Sequence, residues 1–317
     1  MELVSGPRII AFGEGMIEVA GGFGAGLLGY GGDVLNVAIA LARMGLEPAF
    51  LTTVGTDAWS DELVAAWASE GVDTTLIARH PTRHPGLYAI RTDCDGERTF
   101  TYWRESSAAR AFFALPEAES LLERAAAADL LYISGITLSI YDRPERLRIG
   151  RMARSVRARG GVVAFDSNYR PRGWASRQAA LDAFAEFAPC VDIALPTEAD
   201  EQLLFGGEED ARSITARWHS AGAREVVVKL GAGGADVSCE GCMLHVPVET
   251  TITPLDTTGA GDAFNAGYIA ARLAPCAAPE AARFAHSLAG ITIRYRGALP
   301  PRDAVTHLRP EGPPRKT

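Results

Sequence analysis

Residues 254–264 read PLDTTGAGDAF, a turn of small residues running straight into a helical pattern at 260–273. Gly259, Ala260 and Gly261 can bring bare backbone N–H groups to that helix N-terminus. Orphan donors and the positive end of the helix dipole attract phosphate oxygens there. Asp262 falls in the first turn, beside the anion. A carboxylate so placed can take the proton of a hydroxyl that attacks a phosphoryl group. The same residues also suit an ordinary helix start, in which the acid only complements the dipole. The rest of the chain has to decide between the two.

Working outward, short apolar runs end in Gly or Asp and alternate with helical patterns. Strands are expected at 8–13, 48–54, 130–134, 161–166, 191–195, 225–230 and 235–238. Helices are expected at 34–44, 57–70, 143–159, 260–273 and 279–293. Such alternation implies a mostly parallel sheet covered on both faces. Two strand-like runs, 86–93 and 97–104, break the rhythm. Cys94-Asp95-Gly96 joins them with a hairpin signal. With a further strand at 14–20 they read as a small β-sheet lid. The 317 residues are expected to form a single α/β domain, with the lid drawn from segments near 14–30 and 86–104. The tail at 300–317 is rich in proline and charge and is expected to be loosely held.

Composition narrows the function. No apolar run reaches the ~18 residues of a membrane span, and the first residues lack the pattern of a signal peptide. A cytoplasmic protein without a membrane partner is the expectation. The formal charge of −8 comes without a basic patch, which argues against a nucleic-acid partner. An anionic ligand would need local arginines to overcome that field. Cys239 and Cys242 have CxxC spacing, but no second pair completes a tetrahedral metal site, so a hairpin turn with two ordinary thiols is expected. The histidines show no metal spacing, and neither GxSxG nor HExxH occurs.

Five further segments carry candidate chemistry. GAGLLG at 24–29 matches GxGxxG but neither follows a core strand directly nor opens a helix, so a flexible loop is expected in place of a nicotinamide site. At 31–36, Gly32 lets a ligand approach the backbone, Asp33 suits an N-cap, and Asn36 lies one turn in, within reach of a sugar hydroxyl. A simple capped helix reads equally well there. Strand alternation puts Arg98, Phe100, Tyr102 and Arg104 on one face, either a solvated lid face or a grip for an anion. DSNYRP at 166–171 lies beyond a strand's carboxyl end, where open α/β sheets bind ligands. LGAGGA at 230–235 follows a strand but lacks the GKS/T ending of a P-loop, leaving a nucleotide loop and a plain hairpin both open.

Taken together, GGDVLNVAIALARMG (31–45) and DTTGAGDAFNAGY (256–268) resemble the signatures of the ribokinase-like, or PfkB, carbohydrate kinases. GEGMIE (13–18), the run at 84–113, LYISGITLSI (131–140), FDSNYRPRGW (165–174) and IRYRGA (293–298) are similar to the branch acting on keto-deoxy sugar acids. The resemblance implies a Rossmann-like three-layer α/β/α core with a β-sheet lid. It implies transfer of the ATP γ-phosphate, with Mg²⁺, to the 6-hydroxyl of 2-dehydro-3-deoxy-D-gluconate. Asp262 would be the base, and Gly259, Ala260 and Gly261 the anion hole. Gly32, Tyr102, Arg104 and Arg170 would hold the sugar acid, with Asp33, Asn36 and Tyr88 beside them. Asn168, Thr197, Lys229, Gly231, Gly234 and His286 would serve the nucleotide, together with Gly259 and Gly261. Two positions depart from the family pattern. Thr197-Glu-Ala-Asp200 stands for Asn-x-x-Glu, which makes Asp200 a weak metal candidate and leaves the Mg²⁺ ligands unassigned. His286 stands where many relatives carry Asn against the adenine. Fructokinase or another sugar kinase of this family is the nearest alternative, a non-catalytic sugar-acid sensor the next. A homo-oligomer formed through the lid is a further expectation. A buried carboxylate needs a cation, so Arg104 and Arg170 are both expected to face the acid group.

Overall fold

The computed structural model describes residues 6–21, 26–92 and 98–310. In chain order its strands are β1 (Ile9–Phe12), β2 (Met16–Ala20), β3 (Leu27–Gly31), β4 (Pro48–Gly55), β5 (Ile77–His80), β6 (Gly86–Thr92), β7 (Arg98–Trp103), β8 (Leu130–Ser134), β9 (Val162–Asp166), β10 (Ile193–Ala194), β11 (Glu225–Lys229), β12 (Ala235–Cys239) and β13 (Cys242–Val246). Its α-helices are α1 (Asp33–Arg43), α2 (Ala58–Ser69), α3 (Ala118–Ala125), α4 (Gly135–Ser139), α5 (Arg143–Ala158), α6 (Arg177–Phe187), α7 (Glu198–Phe205), α8 (Ala211–Ala221), α9 (Ala260–Leu273) and α10 (Ala278–Thr292).

Nine strands form one sheet in the order β13-β12-β11-β10-β9-β8-β1-β4-β5. From β5 to β11 neighbours run parallel, and β12 and β13 close the far edge antiparallel. Alternation explains the three layers. In β1, Ile10 and Phe12 point into a core shared with α3, α5, α6 and α8, whereas Ile9 and Ala11 point into one shared with α1, α2, α9 and α10. Because both faces are covered, β1, β4 and β8 are buried throughout.

The lid is a second sheet in the order β3-β2-β6-β7. Met16, Tyr88 and Ile90, with Phe100 packed against them, give it a small core of its own. Leu27, Leu28 and Trp103 stay exposed on its edge strands.

Several expectations need correction. Part of the supposed flexible loop is strand β3, paired residue by residue with β2; the first glycine of that motif and the turn at 93–97 lie outside the described residues. Helices α6, α7 and α8 occupy stretches where none was expected, and β10 is only two residues long. The tail is not loose over 300–310: Val305 is buried, and the Arg43 guanidinium donates to the Pro300 carbonyl at 2.6 Å. The Cys239–Cys242 segment is a hairpin turn, with Glu240 and Gly241 both at positive φ and both thiols free.

Candidate active site

Strands β8 to β11 end along one edge of the sheet, with Ser134 of β8 in register with Asp166 of β9, and Thr197, just past β10, bridged to Lys229 of β11. The Lys229 ammonium donates to Asp166 Oδ2 at 2.8 Å and to Asn265 Oδ1 at 3.0 Å. Asn265 Nδ2 donates back to Asp166 at 2.6 Å and to the Tyr132 hydroxyl at 3.0 Å. All four side chains are buried, so the charges survive only because they meet each other. Asn265 and Tyr132 were not singled out by sequence. Their signal is a polar group inside an apolar run, AFNAGY and LLYIS.

Above this pair stands the N-terminus of α9. Gly259 is its N-cap at φ +73°, and a Cβ there would come within 2.6 Å of the Ala298 backbone. Only glycine fits that turn. Ala260 N–H turns back to the Thr257 carbonyl, whereas the N–H groups of Gly261 and Asp262 belong to the orphan set of a first helical turn. Gly261 leaves open the space toward Lys229 Nζ, which would lie 3.8 Å from a Cβ. Two positive ends, one a dipole and one an ammonium, thus converge on one small opening.

Asp262 borders that opening. Its Oδ2 accepts from Asn36 Nδ2 at 2.8 Å, so Asn36 orients the acid. Burial first, then the neighbouring Asp33 carboxylate, push the Asp262 carboxyl up to about 7, against the pull of the Asn36 hydrogen bond. Asp33 is itself shifted upward by burial, opposed by hydrogen bonds from Ser134, the Val34 backbone and Asn168. Asp33 is not the N-cap of α1. That place belongs to Gly32 at φ +153°, where a Cβ would strike the Glu14 carbonyl at 2.2 Å. Asn168, expected on the nucleotide side, donates to Asp33 Oδ2 at 2.9 Å from the positive-φ end of β9.

The lid supplies the opposite wall. Tyr102 stacks on Phe100 and contacts Tyr88. Partial burial raises its hydroxyl's pKa, while Arg104 and then Arg170 pull it back. The Tyr88 hydroxyl donates to Glu18, and its ring belongs to the lid core. Arg104 forms an ion pair with Glu14, a buried residue that sequence reading passed over.

On the far side of Gly261 opens a cavity of about 670 Å³, lined by Thr197, Asp200, Lys229, Gly231, Gly234 and His286 among others. Gly234 keeps its wall clear, since a Cβ at φ +99° would reach the Val246 carbonyl at 2.4 Å. His286 sits edge-on to Phe264 at 5.1 Å and bonds the Val246 carbonyl, and burial pushes its imidazole pKa below the usual value. Arg170 lines the mouth of this cavity, bonded to Asp200 at 2.7 Å. Both arginines expected to face a sugar carboxylate therefore already carry a protein carboxylate. Among the described residues no cluster of three or more His, Cys, Asp or Glu is placed to hold a metal by itself. The residues fit a magnesium ion brought in on phosphates with its water, not a closed cage.

A helix N-terminus with orphan N–H groups, a buried carboxyl with a raised pKa and a cavity of about 670 Å³ thus meet at one point. Residues 24–304 match the pfkB family of carbohydrate kinases. The chain belongs to that family. A 2-dehydro-3-deoxygluconokinase from Dickeya dadantii is 42% identical over 306 residues, covering 94% of this chain and 98% of the relative. The crystal structure of a PfkB protein from Polaromonas sp. JS666 is 29% identical, with a TM-score of 0.81 over 95% of this chain and all of that one (100%). A fructokinase from Xylella fastidiosa, solved with bound ATP, shares the PfkB fold at 23% identity and a TM-score of 0.79, covering 96% of this chain and 95% of its own. No helix among the described residues is long and apolar enough to cross a membrane.

Proposed function

We propose that this PfkB kinase transfers the γ-phosphate of ATP to the 6-hydroxyl of 2-dehydro-3-deoxy-D-gluconate. Identity of 42% across 94% of the chain to a kinase of that name carries the choice of substrate. Asp262 takes the proton of the 6-hydroxyl as its oxygen bonds to the γ-phosphorus. The bond from that phosphorus to the bridging oxygen breaks, and ADP leaves. The N–H groups behind Gly259, with Lys229 beneath them, stabilise the charge gathering on the migrating phosphoryl group. Gly32, Tyr102 and Arg104 face the sugar, and the lid keeps water from competing as acceptor. ATP occupies the cavity between Gly231 and His286. Mg²⁺ would supply charge neutralisation at the phosphates, and Asp200, a carboxylate of the cavity lining, would meet one of its waters. Such a reaction belongs in the cytoplasm, with its ATP.

The test is ADP release measured with fructose, ribose and both epimers of the keto-deoxy acid. We expect kcat/KM for a keto-deoxy acid to exceed that for fructose by about 10⁴-fold, the scale on which a site built for a polar group rejects a ligand lacking it. Preference for fructose would overturn the assignment.

Arg170 offers a second check. It is bonded to Asp200 yet lies near enough to Tyr102 to pull that hydroxyl's pKa down, so Arg170→Ala is expected to raise KM for the sugar acid by about 10-fold or more, the value of a lost charge-assisted hydrogen bond. KM for ATP should change less. A rise in KM for ATP alone would place Arg170 on the nucleotide, and equal rises in both would point to a folding defect or a misassigned pocket.

A further inference from the structure

We infer that Glu14 is a positioning residue for the sugar subsite: its carboxylate holds the Arg104 guanidinium, while its carbonyl packs against the Gly32 turn and leaves room there only for glycine. The inference rests on the proposed contacts of Arg104 and Gly32 with the sugar.

Glu14 follows β1 directly, where the chain leaves the core sheet for the lid. Its side chain is 2% exposed and that of Arg104, just past the end of β7, is 15% exposed. A charge at that depth needs a partner, and Arg104 is the partner found. The space for the pair is made by Gly86, the first residue of β6. A Cβ there would come within 2.8 Å of Glu14 Oε1 and 3.2 Å of Arg104 Cβ. On the other side of the same residue, the Glu14 carbonyl lies where a Cβ on Gly32 would meet it at 2.2 Å. Core strand end and lid strand end are therefore tied through one residue, against which the sugar-side turn packs.

The pair is not satisfied. Both Glu14 carboxylate oxygens, Arg104 Nε and Arg104 Nη2 are buried and, among the described residues, lack a well-directed hydrogen bond, although Nη2 lies against Oε2. Buried ion pairs with unmet donors are often less stable than apolar residues of the same size. The arrangement makes sense if a ligand completes it. A guanidinium pinned from behind through Nη2 keeps one orientation toward the sugar wall. Because Glu14 offsets its charge, Arg104 contributes direction and geometry more than net attraction.

Steady-state kinetics of Glu14→Gln, Glu14→Asp, Arg104→Met and the double variant Glu14→Gln/Arg104→Met test this. Glu14→Gln should raise KM for the sugar by about 10-fold or more, as for a lost charged hydrogen bond, with KM for ATP unchanged. Glu14→Asp, which keeps the charge, should recover part of the loss. In the Arg104→Met background Glu14→Gln should add nothing, because the two act as one unit. A change of less than about 2-fold in sugar KM, equal rises in both KM values, or an undiminished effect without Arg104 would each overturn the inference. If Glu14→Gln does not fold, Gly86→Ala crowds the carboxylate without altering its charge, and the same split between the two KM values is required. Wild-type turnover is measured first. Failure with the keto-deoxy acid counts against the proposed function, and the Glu14 comparison is then made on whichever sugar the wild type phosphorylates.

Discussion

Replacing Asp262 by Asn is expected to lower turnover by about 10²- to 10⁴-fold, the usual contribution of a general base, while ATP binding stays intact. Asn has the same shape and can still bond Asn36, so the pocket keeps its walls and loses only its proton acceptor. The pH dependence follows from the environment. Burial and Asp33 hold the Asp262 carboxyl near 7, so in the free enzyme the base is protonated at lower pH. Wild-type kcat/KM should therefore climb with pH through about 7 and level off. Stability should move the other way. A carboxyl whose pKa is raised by folding stabilises the native state most below its unfolded value of 3.8, and that contribution is lost as pH rises toward about 7. The Asn variant should thus gain thermal stability over wild type at pH 8, with the gain shrinking toward pH 4. Near-normal turnover would remove Asp262 from the base role. A pH profile flat through 7, with turnover still lost, would point to Asp33 or to a packing defect.

The sequence made some of this legible and hid the rest for identifiable reasons. The limits of α9 and β8 could be read to the residue, because a glycine turn opens one and a continuous apolar run fills the other. Strand β3 could not be read. It carries two glycines and leaves Leu27 and Leu28 exposed, so it shows no alternation and owes its form to pairing with β2. Helix α6 buries two alanines and two phenylalanines, and α7 only Glu201 and Leu204, stripes too faint or short to stand out. The glycine turn that opens α9 was visible because its signal is local. The partners of the two arginines were not: Glu14 lies far from Arg104 in the chain, and Asp200 is 30 residues from Arg170. Sequence displayed the cations, and only the fold displays the carboxylates that restrain them. The same holds for Asn36, read as a sugar contact and found gripping Asp262, 226 residues away.

Lys229→Met should carry the largest cost in stability, about 3–5 kcal/mol, the range for breaking a buried ion pair from one side. Met keeps the length and apolar stem of Lys229, so the loss isolates the ammonium. Asp166 would remain 3% exposed, with Asn265 and the Asn168 N–H as its remaining donors. Those neutral donors do not cancel a buried charge. Urea denaturation at pH 7 measures the effect through a lower midpoint with little change in slope. Asp166→Asn in the same chain should recover part of it by removing the charge left behind. A loss below about 1 kcal/mol would mean that the pair is screened like a surface ion pair. The kinetic signature separates this residue from Asp262. Lys229 lines the nucleotide cavity and lies under Gly261, so its removal should raise KM for ATP as well as lower kcat, whereas Asp262→Asn should affect kcat alone. If both variants left KM for ATP unchanged, Lys229 would be a strut for Asp166 and the charge on the migrating phosphate would rest on the helix N-terminus.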